Sequence, residues 1–320
     1  MKVLFIGAGR WGLALASALA GNGHDVLLLS RDLAEGKQLN DLGTHPYFPD
    51  AHFPGNMKMT DDEGMAEGYS DVAVLSLPVQ VSFGYLKERG GLIKGKKLLL
   101  TGKGMVGEKI LSDVLSPLLE DTSISVLSGP SFAAEVVQRK PTCVSIASES
   151  KGDAAFFQSL FSSSFFRPYL SEDVKGLELC GALKNVYAIG AGLIERRLGS
   201  ANARAAYLTR ALHEISRLVA LRGGRKETVY GLSGVGDLFM TCTSPLSRNF
   251  QFGYHFLEPG YKTNGVAEGV YTLSSLESSL PDFPSLLPIA HVISSLVRGE
   301  LTFEQAIEKL MLRDLKGESE

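Results

Sequence analysis

The feature that most restricts the fold of this chain is a glycine-rich turn close to its N-terminus. Gly7, Gly9 and Gly12 come directly after the apolar run KVLFI and open an alanine-rich segment, which is followed by a second apolar run, DVLLL. Between a strand and a helix, such glycines permit a tight turn, close approach of the backbone to a pyrophosphate, and packing of the helix on the strand. The start of the helix also offers unpaired N–H groups to phosphate. We therefore predict a dinucleotide site at this turn.

Short apolar runs continue through the first half of the chain, separated by loops or helical patterns. Continuous runs of this kind indicate strands that are buried on both faces of a mainly parallel sheet. The strand signals stop after about Gly176, and the remaining sequence has helical patterns. The runs that predict strands are KVLFIG, HDVLLLS, DVAVLSLP, KKLLLTGKG, ISVLSGP, TCVSIAS and FFRPYLS.

These patterns predict an α/β protein with two domains. We expect residues 1–176 to form a doubly wound, Rossmann-like, mainly parallel sheet that binds the dinucleotide. Residues 177–320 are expected to form an all-helical domain that binds substrate and carries the catalytic groups. A chain of 320 residues is long enough for each domain to have its own core.

Composition and charge exclude several classes of protein. The formal net charge is −3 and no run of lysines and arginines stands out, so we expect neither nucleic acid nor an anionic membrane as a partner. The cysteines show no CxxC spacing and the histidines no HxxxH pair, which argues against disulfides and metal sites and favours a reducing compartment. Arg10 interrupts the apolar N-terminus, and a strand follows, so we predict a cytoplasmic protein with neither a signal peptide nor a membrane span.

Lys184 occupies an unusual position in the helical half of the chain. It is the only charged side chain between Leu179 and Ile194. Two interpretations remain open from the pattern alone. In the first, the methylene chain of the lysine covers apolar surface and its ammonium group reaches water; in the second, the lysine is a partly desolvated amine that faces a ligand. Its neighbours at helical spacing are mostly very small: Leu177, Gly181, Ala188 and Ala191.

The residues after the second predicted strand bear on the choice of cofactor. A protein specific for NAD usually places an acid there, on the adenosine ribose, whereas this chain has Ser30 and Arg31. An arginine can instead hold the 2′-phosphate of NADP. Asp32 follows at once and keeps the alternative of NAD open. We therefore predict NADP or NAD as the cofactor, with a preference for NADP.

Several longer motifs occur in order along the chain and together carry a family resemblance. The set resembles the NAD(P)-dependent sn-glycerol-3-phosphate dehydrogenases of bacterial type, from the N-terminus to about Leu312. The motifs are the GAGxWG turn, KGM, SGPSFAAEV, ALKNVYAIGAG, NARAAYLTRAL, GLSGVGDLFMTCTSPLSRNFQFG and VAEG.

The resemblance implies reversible hydride transfer between a nicotinamide and C2 of glycerol 3-phosphate, giving dihydroxyacetone phosphate. It further implies a homodimer and a role at the entry to glycerophospholipid synthesis. By the same resemblance, Lys184 matches the catalytic base, Lys103 a lysine that binds substrate, and Asp237 an acid that orients the lysine or the substrate. A lysine whose pKa is lowered can accept the hydroxyl proton that the alcohol must lose.

The resemblance assigns the remaining site residues as well. From the residues alone, a polar loop that caps a helix is the favoured interpretation of LSRN, and an N-cap remains open for Asp237. A guanidinium fork, a hydroxyl and an amide can also donate together to phosphate oxygens. The substrate set is Lys103, Gly129, Ser131, Asp237, Thr241, Ser247, Arg248 and Asn249, and the cofactor set is Gly7, Gly9, Arg10, Trp11, Gly12, Arg31, Lys103, Ala133, Arg248, Val266 and Glu268.

The chain departs from the family pattern at three places. Position 10 is arginine where the family commonly has serine, which adds charge beside the expected pyrophosphate. The KG motif continues as Met105 and Val106, where a glutamate is frequent two residues after the glycine. The segment HPYFPD matches only loosely. None of these departures removes a proposed catalytic group.

Three other functions are compatible with parts of the sequence. The first is another dehydrogenase of similar architecture, of the β-hydroxyacid or ketopantoate type, which would not require the SRN phosphate set. The second is a lyase that forms a Schiff base through Lys184. The third is a non-catalytic NADP(H)-binding sensor, which has no need of a base beside the nicotinamide.

Overall fold

The computed structural model describes residues 1–119, 121–258, 260–261, 267–314 and 317. Over these residues the chain forms a large sheet flanked by helices, followed by a helical region. The strands are β1 (Lys2–Ile6), β2 (Asp25–Leu29), β3 (Met57–Thr60), β4 (Val72–Leu75), β5 (Lys97–Leu100), β6 (Met105–Val106), β7 (Lys109–Ile110), β8 (Ser123–Ser128), β9 (Thr142–Ser148) and β10 (Phe166–Ser171).

The α-helices alternate with the strands in the first half and follow one another in the second. They are α1 (Arg10–Gly21), α2 (Leu33–Leu42), α3 (Glu63–Glu67), α4 (Val79–Glu88), α5 (Leu111–Leu115), α6 (Ala133–Val137), α7 (Lys151–Phe161), α8 (Val174–Leu198), α9 (Ala201–Leu221), α10 (Asp237–Cys242), α11 (Arg248–His255), α12 (Glu268–Ser279), α13 (Phe283–Leu286), α14 (Pro288–Val297) and α15 (Phe303–Met311).

The large sheet has the order β10-β9-β8-β5-β4-β1-β2-β3, and neighbouring strands are parallel except for β8 and β9. The prediction of a mainly parallel sheet followed by helices is confirmed, and each predicted apolar run contains a strand of this sheet. The strand β3 and the hairpin β6–β7 were not predicted. The hairpin strands have two residues each, and so short a run cannot show a periodic pattern.

The strand order places the expected cofactor site. The chain runs outward from β1 in both directions, through β2 on one side and β4 on the other. In an open parallel sheet, a crevice forms at such a switch point, outside the carboxyl ends of the strands. Gly7 follows β1 directly and Ser76 follows β4, so the glycine turn lies at this crevice.

Helix α8 is the centre of the helical region. Its residues 176–194 are all buried, and α9, α10, α11, α12 and α14 contact it. The side chain of Asp173 caps its start through the N–H of Gly176. By length and composition alone α8 could cross a membrane, but its apolar window is entirely buried within the protein. The predicted domain division at residue 176 falls in the first turn of α8 and stays a prediction.

The glycines around the Lys184 segment allow helices to touch backbone to backbone. A Cβ atom at Gly253 of α11 would lie 1.9 Å from the carbonyl oxygen of Ile189, and one at Gly192 of α8 would lie 2.1 Å from that of Phe250. A Cβ at Gly269 of α12 would meet α8 in the same way. The small residues C-terminal to Lys184 therefore serve the packing of α11 and α12 on α8.

Glu214 of α9 is a buried carboxylate that completes the start of another helix. Helix α14 begins without a side-chain cap of its own. The N–H groups of Ile289 and Ala290 donate to Glu214 at 2.7 and 3.2 Å, and the hydroxyl of Tyr187 on α8 donates at 3.0 Å. Burial raises the pKa of Glu214 to about 7. This one side chain thus joins α8, α9 and α14.

We predict that Glu214→Ala lowers the free energy of unfolding by about 3 kcal/mol at pH 8, because two backbone N–H groups and a buried hydroxyl lose their acceptor. Urea unfolding followed by circular dichroism measures the change. The matched control is Glu304→Ala, since that carboxylate is exposed and its removal should cost less than about 0.5 kcal/mol. Equal losses in the two variants would contradict this role for Glu214.

Candidate active site

The glycine turn is shaped to receive a phosphate group. Gly7 has a φ of +103°, and a Cβ there would lie 2.9 Å from the side chain of Leu77. A Cβ at Gly12 would lie 2.4 Å from the carbonyl oxygen of Gly7, whereas one at Gly9 would meet no atom within 4 Å. No side chain caps α1 at Gly9, so the N–H groups of its first turn are available. This donor set and the open space fit the pyrophosphate of a dinucleotide.

Two departures from the family pattern meet at the start of α1. A guanidinium nitrogen of Arg10 donates to the carbonyl oxygen of Tyr47 at 3.0 Å, and the guanidinium carbon lies 5.2 and 5.7 Å from the ring centroids of Tyr47 and Phe48. Arg10 therefore holds the HPYF loop beside the glycine turn. The indole nitrogen of the neighbouring Trp11 is buried with no hydrogen-bond partner among the described residues.

The other cofactor candidates differ in burial and in their contacts. Ala133 is the first residue of α6 and packs against the apolar cluster that contains α1. Arg31 is exposed, directly after the residue that follows β2. Oδ1 of Asp32, which is also exposed, caps α2 by accepting from the N–H of Glu35 at 2.9 Å. Val266, another candidate of this set, lies outside the described residues.

Two lysines share one buried carboxylate at the junction of sheet and helices. The Nζ of Lys184 donates to Oδ1 of Asp237 at 2.5 Å and to the hydroxyl of Thr241 at 3.0 Å. The Nζ of Lys103 donates to Oδ2 of the same aspartate at 2.6 Å and to the carbonyl oxygen of Gly129 at 2.9 Å. The side chain of Asp237 is fully buried. Residues predicted from four separate motifs thus form one hydrogen-bonded cluster.

Local structure explains how the cluster forms. Gly181 lies one turn before Lys184, and a Cβ there would lie 3.3 Å from Cγ of Lys103, so the glycine lets the Lys103 stem cross α8. The hydroxyl of Ser131 donates to the Gly129 carbonyl at 3.0 Å. A π-helical turn, Leu232–Gly236, leads directly into Asp237 at the start of α10. Asp237 therefore points at the lysines and does not serve as the N-cap that the sequence also allowed.

The charge balance makes the cluster suited to proton transfer. Burial lowers the pKa of Lys103 to about 8; the Asp237 carboxylate acts in the opposite direction, and the ammonium group of Lys184 adds to the lowering. One carboxylate neutralises only one of the two ammonium groups. Near pH 8 the cluster can therefore release one proton and keep a balanced ion pair, or take the proton up again.

A second group of predicted residues lies beside the first and is joined to it through Asn185. The amide nitrogen of this buried residue donates to Oε2 of Glu268 at 3.1 Å, and Oε1 of Glu268 pairs with Arg248 at 3.4 Å. Asn185 was not predicted from the sequence, although it is the residue after Lys184 and the only amide in that apolar stretch. The Arg248 side chain is 83 % exposed and faces solvent.

The polar groups beside Arg248 have structural partners. The hydroxyl oxygen of Ser247 accepts from the N–H of Phe250 at 3.2 Å and caps α11, as the alternative for LSRN allowed. The amide oxygen of Asn249 accepts from the N–H of Gly269 at 3.0 Å. These bonds fix the loop, and they leave the Ser247 hydroxyl proton for a further acceptor.

The fold and the site together define a class of protein. A Rossmann-type sheet with a phosphate-binding turn at its switch point, beside a buried lysine and aspartate cluster, is typical of a nicotinamide-dependent dehydrogenase. Residues 2–154 match the family model described as the N-terminus of NAD-dependent glycerol-3-phosphate dehydrogenase, and residues 173–308 match the model of its C-terminus. The chain belongs to the NAD-dependent glycerol-3-phosphate dehydrogenase family.

Individual relatives agree with this assignment. A glycerol-3-phosphate dehydrogenase [NAD(P)+] from Halorhodospira halophila is 36% identical over 326 residues, which cover 99% of this chain and 98% of the relative. A crystal structure of glycerol-3-phosphate dehydrogenase from Coxiella burnetii has a TM-score of 0.90 and 31% identity, with coverage of 98% and 99%. D-mandelate dehydrogenase with NADH, at 14% identity and a TM-score of 0.64, shares the fold alone.

We predict that Asp237→Asn lowers the pKa of Lys103 further below 8, because the carboxylate is the opposite charge that holds it up. The rate of acylation of Lys103 by acetic anhydride, followed against pH by mass spectrometry, reports this pKa. Thr241→Val removes a hydrogen bond but no charge and serves as the control, with little expected change. An unchanged or higher pKa in Asp237→Asn would contradict the geometry.

Proposed function

We propose that the protein interconverts sn-glycerol 3-phosphate and dihydroxyacetone phosphate with NAD(P) as the hydride carrier. The observation that carries this proposal is the contact of Lys103 and Lys184 with one carboxylate, that of Asp237. It supports a site that exchanges a proton with a substrate hydroxyl. The match to the dehydrogenase family models favours hydride transfer over the Schiff-base alternative.

In the oxidising direction, the bound nicotinamide supplies the acceptor for the hydride that leaves C2. The hydroxyl proton on the same carbon passes to the amine of Lys184, and the C2 oxygen becomes a carbonyl oxygen. Asp237 holds the resulting ammonium group in place. Lys103 lies on the opposite oxygen of this carboxylate and binds the substrate. In the reducing direction the same ammonium returns the proton to the carbonyl oxygen.

The exposed guanidinium of Arg248 is proposed to hold the substrate phosphate, with Ser247 and Asn249 as further donors. An arginine presents a planar fork that suits phosphate oxygens. Gly129 and Ser131 border the same cluster through the Lys103 contact. Glu268 is proposed to adjoin the cofactor, and its pairing with Arg248 would place both near the phosphate end of the site.

For the wider setting we propose a homodimeric, cytoplasmic enzyme that supplies glycerophospholipid synthesis and prefers NADP. The three free cysteines agree with a reducing compartment. The proposed substrate domain begins at residue 177. The exposed position of Arg31, two residues after the end of β2, supports the NADP preference.

The direct test of the proposed function is oxidation of NADPH in the presence of dihydroxyacetone phosphate. Unphosphorylated dihydroxyacetone and 2-oxo acids serve as comparison substrates and separate this activity from the β-hydroxyacid and ketopantoate types. We expect turnover with the phosphorylated substrate and little with the others. Equal turnover with all of them, or binding of NADPH without any turnover, would overturn the proposal.

We predict that Lys184→Ala lowers kcat by roughly 10² to 10⁴, which is the usual contribution of a positioned acid or base, with nearly unchanged cofactor affinity. Steady-state kinetics and NADPH titration by fluorescence give the two quantities. Lys175→Ala is the matched control, because Lys175 lies on the same helix but is exposed. A Lys184→Ala enzyme with wild-type turnover at saturating substrate would remove the residue from the mechanism.

We predict that Arg31→Ala raises the KM for NADPH roughly tenfold, more at low salt than at high, because an exposed arginine and a phosphate attract each other by on the order of 1 to 2 kcal/mol. The KM for NADH should change little. Lys37→Ala, on the exposed side of α2, controls for general charge. A wild-type preference for NADH that Asp32→Ala abolishes and Arg31→Ala leaves intact would end the NADP proposal.

A further inference from the structure

A second buried carboxylate, that of Glu178, lies at the boundary between sheet and helices. Glu178 belongs to α8, six residues before Lys184, and is 5% exposed. Its Oε1 accepts from the backbone N–H of Ser112 at 3.2 Å, and its Oε2 accepts from the hydroxyl of the same serine. Helix α5 begins at Leu111 without a side-chain cap of its own. The acceptor for the start of α5 is therefore supplied by α8.

The segment that this contact holds is the one that carries Lys103. The chain passes from Lys103 through the hairpin β6–β7 into α5 and reaches Ser112. Met105 and Ile110 of the hairpin are buried in the same apolar cluster as the core of α8. The segment is thus fixed to the helical region at its two ends, by Asp237 and Glu178, and by apolar contacts between them.

A buried carboxylate at this position lowers the stability of the folded protein. Burial raises the pKa of Glu178 to about 7, the bonds from Ser112 act in the opposite direction, and Asp113 adds to the rise. A buried acid of this kind contributes less to stability than a well-packed apolar side chain would. Directional bonds to the start of α5, by contrast, fix where the segment lies along α8.

We propose that Glu178 is a positioning residue for the reaction: by fixing the α5 end of the Lys103 segment on α8, it sets where the Lys103 amine lies relative to Lys184. The inference rests on the proposed function, in which Lys103 binds the substrate. Glu214 provides an internal comparison. It is also a buried carboxylate on one helix that caps the start of another, α14. Helix α14, however, does not belong to the segment that carries Lys103.

The test compares Glu178→Leu, which removes both acceptor oxygens, and Ser112→Ala with Glu214→Gln. We expect the first two to raise the KM for dihydroxyacetone phosphate about tenfold with kcat changed less than about threefold, because a small displacement of a binding group weakens substrate binding. Glu214→Gln should lose stability and keep both constants within about twofold. The double variant of Glu178 and Ser112 should be no worse than the poorer single variant, since both act through one contact.

A second readout does not depend on turnover. The acylation rate of Lys103 should change in Ser112→Ala, which alters no charge, and should stay at the wild-type value in Glu214→Gln. Wild-type KM and acylation in both Glu178→Leu and Ser112→Ala would overturn the positioning role while leaving the proposed function standing. If the wild-type protein fails to reduce dihydroxyacetone phosphate, the proposed function fails, and the acylation rate alone decides whether Glu178 positions Lys103.

Discussion

The contact on which this structure depends is the shared carboxylate of Asp237, held between two buried ammonium groups. Lys103 comes from the loop after β5, Lys184 from the middle of α8, and Asp237 from the start of α10. Without the carboxylate, two like charges would face each other in a site with little water. With it, the cluster carries one surplus proton, which burial makes easy to release. The same contact thus holds three segments of the chain together and allows the cluster to exchange a proton.

Much of the fold could be predicted from the sequence, because its signals are local. Each strand of the sheet that carries a continuous apolar run was found, and so was the glycine turn at the end of β1. The strand β3 was missed because MKMT is short and alternates with polar residues. The departure at Val106, where the family often has a glutamate, has a structural reason: this side chain is partly buried and packs against the apolar cluster that contains Val79 of α4 and Leu111 of α5.

The members of the lysine and aspartate cluster were named from the sequence, but the contacts between them were not. Motif resemblance named Lys103, Lys184 and Asp237, yet the sharing of one carboxylate joins residues 134 positions apart and leaves no local pattern. The contact of Arg10 with Tyr47 is of the same kind. The small residues after Lys184 do not by themselves indicate a partner, and in the structure the backbones of α11 and α12 pack against them. Periodicity shows that the side chains on one face of a helix are small, but it does not show what packs against that face.

The central claim is that the buried amine of Lys103, beside Asp237 and Lys184, gives up its proton near pH 8. The most direct measurement is the rate of acylation of Lys103 by acetic anhydride in the wild-type protein as a function of pH, followed by mass spectrometry. Acylation needs the neutral amine, so the rate should rise tenfold per pH unit below about 8 and level off above it. A profile that is flat between about pH 6 and 9, or that rises only near the ordinary lysine pKa of about 10.4, would contradict the account.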